Sequence, residues 1–250
     1  MEIGPEFFTF VAVGFLAQLV DGALGMAFGV ISTSALVALG VPPAAASAGV
    51  HAVETVTTAV SGTSHAIARN IDWKLFFRIA LPGMAGAVLG AYFLTNIPAD
   101  KAKPLIQAYL GLLGMWIFWR GIKHIHVERE PKIVAPLGLV GGFLDSAGGG
   151  GWGPIVTSNL IVQGKAPRET IGTVNAAEFF VTTSAAITFI IALGWEVVTM
   201  ATLGLLAGGV IAAPFGAVLA KRLKADTLMM MVGLVLIASS AFGIYRYFLA

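Results

Sequence analysis

The chain has 250 residues, of which 57% are hydrophobic and 11% charged, and its mean hydropathy is +0.88. A water-soluble domain carries roughly 25% charged residues, so the composition excludes a water-facing exterior and points to one bilayer-embedded domain. Cysteine is absent, which excludes disulfides and thiolate metal sites, and the net charge of +2 says less than where Lys and Arg fall along the chain.

Met1, Glu2 and Glu6 offer no basic region ahead of the first apolar run, so that run is expected to belong to the mature protein rather than to a cleaved signal. Apolar stretches follow at 7–39, 43–68, 75–94, 105–119, 134–162, 167–193, 197–220 and 228–249. A helix needs about 20 residues to cross a bilayer, and six stretches fit that length. The first and fifth are longer, and each is interrupted by glycine: Asp21-Gly22-Ala23-Leu24-Gly25 through Gly29, and Asp145 through the run Gly148 to Gly151, Trp152, Gly153 and Pro154. Each glycine disfavours a helix interior by about 1 kcal/mol, and Pro154 suits the first turn of a new helix. Both segments are therefore expected to be pairs of half-helices joined by a glycine turn, the second halves starting near Met26 and Pro154.

Each broken segment either crosses the membrane or dips in and returns. If both cross, Lys and Arg divide almost evenly between the two sides. If both return, only Lys101, Lys103 and Arg246 lie on one side and every other Lys and Arg lies on the opposite one. The positive-inside rule favours the second arrangement, with the basic side cytoplasmic and both termini extracytoplasmic.

A shift of 124 residues superimposes the halves. Gly14, Asp21, Gly25, Gly29, Thr33-Ser34, Gly40, Pro43 and Glu54 fall on Gly138, Asp145, Gly149, Gly153, Thr157-Ser158, Gly164, Pro167 and Glu178. Two rare acidic pairs in one register mark a duplication. The fold expected is an all-α polytopic membrane protein of two inverted repeats, each a glycine-broken (re-entrant) helix pair plus three transmembrane helices. Repeat one spans 7–120, a cytoplasmic linker 121–133, and repeat two 134–249.

Every Lys and Arg lies at or beyond the end of an apolar stretch, but four carboxylates do not: Asp21, Glu54, Asp145 and Glu178. A charge at the bilayer centre costs at least about 2.5–3.5 kcal/mol, so such residues usually face a cavity and serve ion or proton movement. His51, Glu54, Thr58, Ser61 and His65 recur every three or four residues and line one helical face. The matching helix carries Asn175, Glu178 and Thr182 before turning apolar. Thr58, Ser61 and Thr182 also suit plain interhelical hydrogen bonding, and Asp21 and Asp145 suit a capping role in a turn. The glycine turns expose backbone N–H groups ahead of the second half-helices, an arrangement that attracts anions; close helix packing is the alternative use of glycine. Trp152 either lines the pathway or fills the space the glycines leave. Trp73, Trp116, Trp119 and Trp195 lie beside span ends, as in an aromatic belt.

The broken helices with Asp21, Gly25 and Gly29, and with the run from Asp145 to Pro154, resemble the sulfite exporter TauE/SafE family, also called toluenesulfonate-uptake-type permeases. The resemblance covers nearly the whole chain. It implies transport of sulfur-containing organic and inorganic anions, such as sulfite and sulfonates, across the bacterial inner membrane. The first turn is less glycine-rich than the second, and Val30 stands where the second half has Pro154.

The expected function is secondary transport of a small sulfur-containing or organic anion by alternating access around a midplane site, coupled to protons. Gly25, Met26, Gly149, Gly150, Gly151, Trp152, His51 and Asn175 are the expected substrate contacts. Glu54, Glu178, Asp21 and Asp145 are the expected proton-coupling groups, since a buried carboxyl can exchange its charge for a proton. The alternative is a cation-coupled or cation-selective pathway through the same four carboxylates. An enzyme is not expected: there is no His-Glu-x-x-His, Gly-x-Ser-x-Gly or Walker A motif. No cofactor and no metal are expected. The partners are a small anion, protons and the lipid bilayer, with no nucleic acid; a homodimer is left open.

Overall fold

The computed structural model describes residues 5–24, 26–122, 131–197, 199–222 and 225–249. Gly25 and residues 123–130 of the linker lie outside them. The described residues form ten α-helices: α1 (Pro5–Leu24), α2 (Phe28–Ala38), α3 (Pro43–Ile67), α4 (Trp73–Asn96), α5 (Ala99–Ile122), α6 (Ala135–Gly148), α7 (Ser158–Val162), α8 (Pro167–Leu193), α9 (Met200–Arg222) and α10 (Ala225–Leu249). A π-helical turn, Gly153–Thr157, leads into α7, and a short 3-10 turn, Trp195–Val197, precedes α9.

The helix ends follow local chemistry. Pro43 and Pro167 open α3 and α8, where their missing N–H would have no intrahelical partner. The Leu75 N–H donates to the Asp72 carboxylate at 3.0 Å, capping α4. Both short second helices stop in the same way: Gly40 and Gly164 take left-handed backbone angles of +101° and +106°. Val41 N–H then reaches back to Leu36 O and Lys165 N–H to Leu160 O, each at 3.0 Å.

Among the described residues, three helices are long and apolar enough to cross a membrane, at Trp73–Asn96, Ala99–Ile122 and Glu169–Leu193, with shorter apolar stretches at Phe28–Ala38, Met200–Ala212 and Met229–Tyr245. The 25 residues of α3 match them in length, but that helix carries the polar stripe. Large apolar side chains such as Leu81, Leu89, Tyr92, Val210, Leu234 and Phe248 face outward. An apolar exterior of this kind is what a lipid surround permits.

The principal contacts pair helices from opposite halves: α1 with α9, α4 with α6, α5 with α10, and α3 with α8. The first two pairs pack through glycine. A Cβ on Gly14 would strike the Leu205 backbone, and one on Gly138 would lie 2.6 Å from the Ile79 oxygen. Small residues allow backbones this close, as is common between helices in membranes.

Both broken segments fold back on themselves. Leu39, Gly40 and Val41, after α2, share a cavity wall with Glu6, Thr9 and Phe10 at the start of α1. In the second segment, the Lys132 and Ile133 N–H groups donate to the Gln163 side-chain oxygen at 3.0 Å each, which ties the start of α6 to the end of α7. The second halves begin at Phe28 and Gly153, within two residues of the positions read from sequence.

Candidate functional site

The tips of the two folded-back segments touch. A Cβ on Gly29 would lie 3.2 Å from the Gly150 Cα and 2.8 Å from the Glu54 Oε1. A Cβ on Gly150 would run into the backbone of Gly29 and Val30, and one on Gly149 into Thr33. Gly149, Gly150 and Gly151 all have positive φ, at 75°, 138° and 151°, so this turn is closed to other residues both by backbone angle and by space. Tyr109 of α5 braces it, donating its hydroxyl hydrogen to the Gly150 oxygen at 3.0 Å.

Each break is bridged by an aspartate. The Asp21 Oδ1 accepts from the Phe28 N–H at 3.2 Å, and the Asp145 Oδ1 accepts from the Trp152 N–H at 2.9 Å. Both bonds span seven residues, and the two stand 124 residues apart. Each carboxylate ends one half-helix and caps the start of the next, where the helix dipole favours negative charge.

The second Asp145 oxygen, Oδ2, lies 3.1 Å from His51 Nε2. His51 Nδ1 lies 2.7 Å from the Ser47 carbonyl oxygen, and the Ser47 hydroxyl donates to the Ser146 oxygen at 2.9 Å. His51 is fully buried, and Asp145 and Glu54 nearly so. Glu54, one turn beyond His51, receives the Gly29 N–H, while its Oε2 has no partner. Glu54 feels the charges of Asp145, Glu178 and Asp21, and Glu178 those of Asp21 and Asp145. The four carboxyls thus form one electrostatic cluster. The Thr58 and Thr182 hydroxyls donate to the carbonyls of Glu54 and Glu178, a helix-internal bond in both halves.

The other residues singled out from sequence are spread around this centre. Met26 is partly buried against the core, 3.9 Å from the Ser158 hydroxyl. Asn175 is buried on α8. Trp152 is fully enclosed; its indole N–H donates to the Val174 oxygen at 3.2 Å, and its ring fills the space beside Gly83 of α4. Gly25 lies outside the described residues. His65 sits at the end of α3, hydrogen-bonded with Asn70 and away from the cluster. Trp73, Trp119 and Trp195 are exposed.

Sequence reasoning missed Tyr109, Ser47 and the pair Thr33 and Thr157. Thr33 and Thr157 are fully buried, and their hydroxyl oxygens, like those of Ser32 and Ser146, find no partner within the described residues. Unsatisfied buried polar atoms are costly, so several beside one turn point to a place where a ligand or water supplies the missing bonds. The Thr33-Ser34 and Thr157-Ser158 coincidence carried the signal. Among the described residues, no group of His, Asp and Glu has the arrangement of a metal site.

A family model described as "Sulfite exporter TauE/SafE" matches residues 10–242. A curated relative from Bacillus subtilis (strain 168), described as "Probable membrane transporter protein YtnM", is 44% identical over 236 residues, covering 90% of this chain and 78% of the relative. No solved structure matches the chain. With glycine-broken helices meeting at a buried carboxyl cluster inside an apolar helical body, the chain belongs to the sulfite exporter TauE/SafE family and is a membrane transporter.

Proposed function

We propose that the chain is a secondary transporter of a small sulfur-containing or organic anion, of the sulfite and sulfonate class, driven by protons and working by alternating access around the contact of the two tips. The observation that carries this reading is the cluster of Asp21, Glu54, Asp145 and Glu178 around backbone N–H groups of the two breaks. Helix N-termini attract anions, and here the protein's own carboxylates occupy that role. A substrate anion has to take their place, which it can do when the carboxyls carry protons or turn away. Proton binding and anion binding then favour one another, which is the basis of symport.

The same reading places the first folded-back pair in one leaflet and the second in the other. Supporting it are the cavity that residues 6–10 and 39–41 line together and the hydrogen bonds from 132–133 to 163. With three crossings per half, repeat two (134–249) runs inverted relative to repeat one (7–120), and the linker 121–133 lies in the cytoplasm. Both termini are then extracytoplasmic, in the bacterial inner membrane. The ion pair between Lys165 and Asp72 at 2.8 Å joins loops that this topology puts on one side.

A test is flux of sulfite, thiosulfate, sulfonates and carboxylates into liposomes holding the purified protein, with Glu54→Gln and Glu178→Gln alongside wild type. Anion flux that responds to a pH gradient in wild type, with a shifted pH dependence in the variants, is expected; flux that ignores pH overturns the reading. The acidic cluster without an ion-paired Lys or Arg among the described residues favours one second reading, a cation-coupled pathway. A flux that follows a Na⁺ gradient and ignores pH would select it.

A further inference from the structure

The hydrogen-bond geometry around His51 fixes the number of protons there. The Ser47 carbonyl can only accept, so His51 Nδ1, 2.7 Å away, carries a hydrogen. The Ser47 hydroxyl spends its own hydrogen on the Ser146 oxygen, so it too meets Nδ1, at 3.3 Å, as an acceptor. A neutral imidazole protonated at Nδ1 presents a bare Nε2, and an ionised carboxylate has no hydrogen to offer. Two acceptors would then face each other at 3.1 Å between Nε2 and Asp145 Oδ2, both buried and too close together for a water to sit between them. One further proton must lie between them, on one atom or the other. The pair therefore has no net charge.

We propose that the His51–Asp145 pair is the binding site of the coupling proton, and that each chain has one such site. Its role in turnover rests on the proton-coupled reading above; the shared proton does not. In the loaded state, one proton sits between Nε2 and Oδ2 and the pair is neutral. When this proton leaves to water on the side the site opens to, Asp145 keeps the negative charge and His51 stays neutral with its hydrogen on Nδ1. Water admitted from that side then donates one hydrogen to Nε2 and one to Oδ2, and separates the two acceptors. The loaded pair tolerates an anion beside it, and the unloaded pair repels one. The surroundings offer no cation to cancel that charge among the described residues. Glu54 lies on the same helix, Glu178 and the Phe189 ring come from α8, Asp21 from α1, Tyr109 from α5 and Ser146 from α6.

The duplication makes the site single. Shifted by 124 residues, Asp145 corresponds to Asp21 but His51 corresponds to Asn175. An amide neither gains nor loses a proton near neutral pH, so the first aspartate has no equivalent proton-sharing partner. One break carries a histidine partner that can share a proton, and the other keeps only the capping role of its aspartate.

Two measurements test this. The first needs no substrate: nitrogen NMR of ¹⁵N-histidine protein in lipid nanodiscs, in a variant whose His65, His124 and His126 are replaced by Gln so that only His51 reports. Expected are a protonated Nδ1 and an Nε2 that carries or shares a proton. A bare Nδ1, or an Nε2 free of any shared proton, overturns the proposal. The second uses methanesulfonate, a permanent monoanion, in proteoliposomes with one imposed pH unit. Wild type at one proton per anion accumulates it about tenfold. His51→Asn, which copies the other half, is expected to accumulate none. Full accumulation by His51→Asn overturns the proposal. A wild type that moves no anion, with the proton-shared spectrum intact, instead sinks the transport reading.

Discussion

Gly29 and Gly150 belong to different halves of the chain, yet their backbones approach so closely that a Cβ on Gly150 would overlap the Gly29 carbonyl carbon and the Val30 nitrogen. The two breaks are therefore one structural unit. Gly150→Ala adds a clash with backbone to a positive-φ strain of about 1–3 kcal/mol. Gly40→Ala is the matched control: its φ is also positive, but nothing lies within 4 Å of the new atom. Thermal unfolding in detergent is expected to show a much larger loss for Gly150→Ala. Equal losses would mean that the tips do not touch.

Ala27 is the converse case. It holds a φ of 126°, and the position 124 residues later is Gly151 at 151°. Ala27→Gly relieves a strained angle worth about 1 kcal/mol or more. Its melting temperature is expected to rise by about 2–4 °C per kcal/mol gained. A fall would show that the alanine methyl makes a contact worth more than the strain.

The two bridging aspartates should not cost the same. Asp21→Ala removes one helix cap, worth about 1 kcal/mol. Asp145→Ala removes the equivalent cap and also leaves His51 Nε2 buried without a partner, which adds about 1–3 kcal/mol. Denaturant titration of both variants is expected to rank Asp145→Ala as the more damaging. The reverse order would contradict the His51 contact.

Asp72 and Lys165 join the loop before α4 to the start of α8, at 2.8 Å, with Glu169 3.1 Å from the same ammonium. Burial works against the Asp72 charge, but the Lys165 ammonium and the Leu75 N–H outweigh it and hold the carboxyl below its ordinary 3.8. Hydrogen bonding to Asp72 raises Lys165 above its ordinary 10.5. The depressed acid loses its contribution only as pH falls through its folded value, and the raised base only as pH rises through its own. The link is thus expected to be flat in pH between 3.8 and 10.5. Being partly exposed, it contributes no more than about 1 kcal/mol and weakens with salt. Lys165→Met should lower stability by that amount at neutral pH, with no further change between pH 5 and 9. A steep slope in that range would implicate other groups.

Much of this arrangement was legible in the residues themselves. Gly148 to Gly151 announced a break, the register of Asp21 with Asp145 matched the two aspartates that bridge the breaks, and His51, Glu54 and Thr58 announced a buried polar face. What escaped was partnership. His51 meets Asp145 across 94 residues, and no local pattern encodes that distance. Tyr109 escaped because α5 does not segregate its polar residues onto one face. A helix between lipid and protein has no wet side to contrast with its packed one, so periodicity loses its meaning. The N–H groups read as free for an anion were also invisible as occupied, because the seven-residue reach of each aspartate exists only once the chain turns back.

The pairing of α1 with α9, α4 with α6, α5 with α10 and α3 with α8 has a consequence for biosynthesis. Neither half finds its main neighbours within itself, so a ribosome that has made only the first half has inserted helices that still lack their principal partners. Separate expression of residues 1–122 and 131–250 should give two fragments that are degraded alone and rescue each other when made in the same cell.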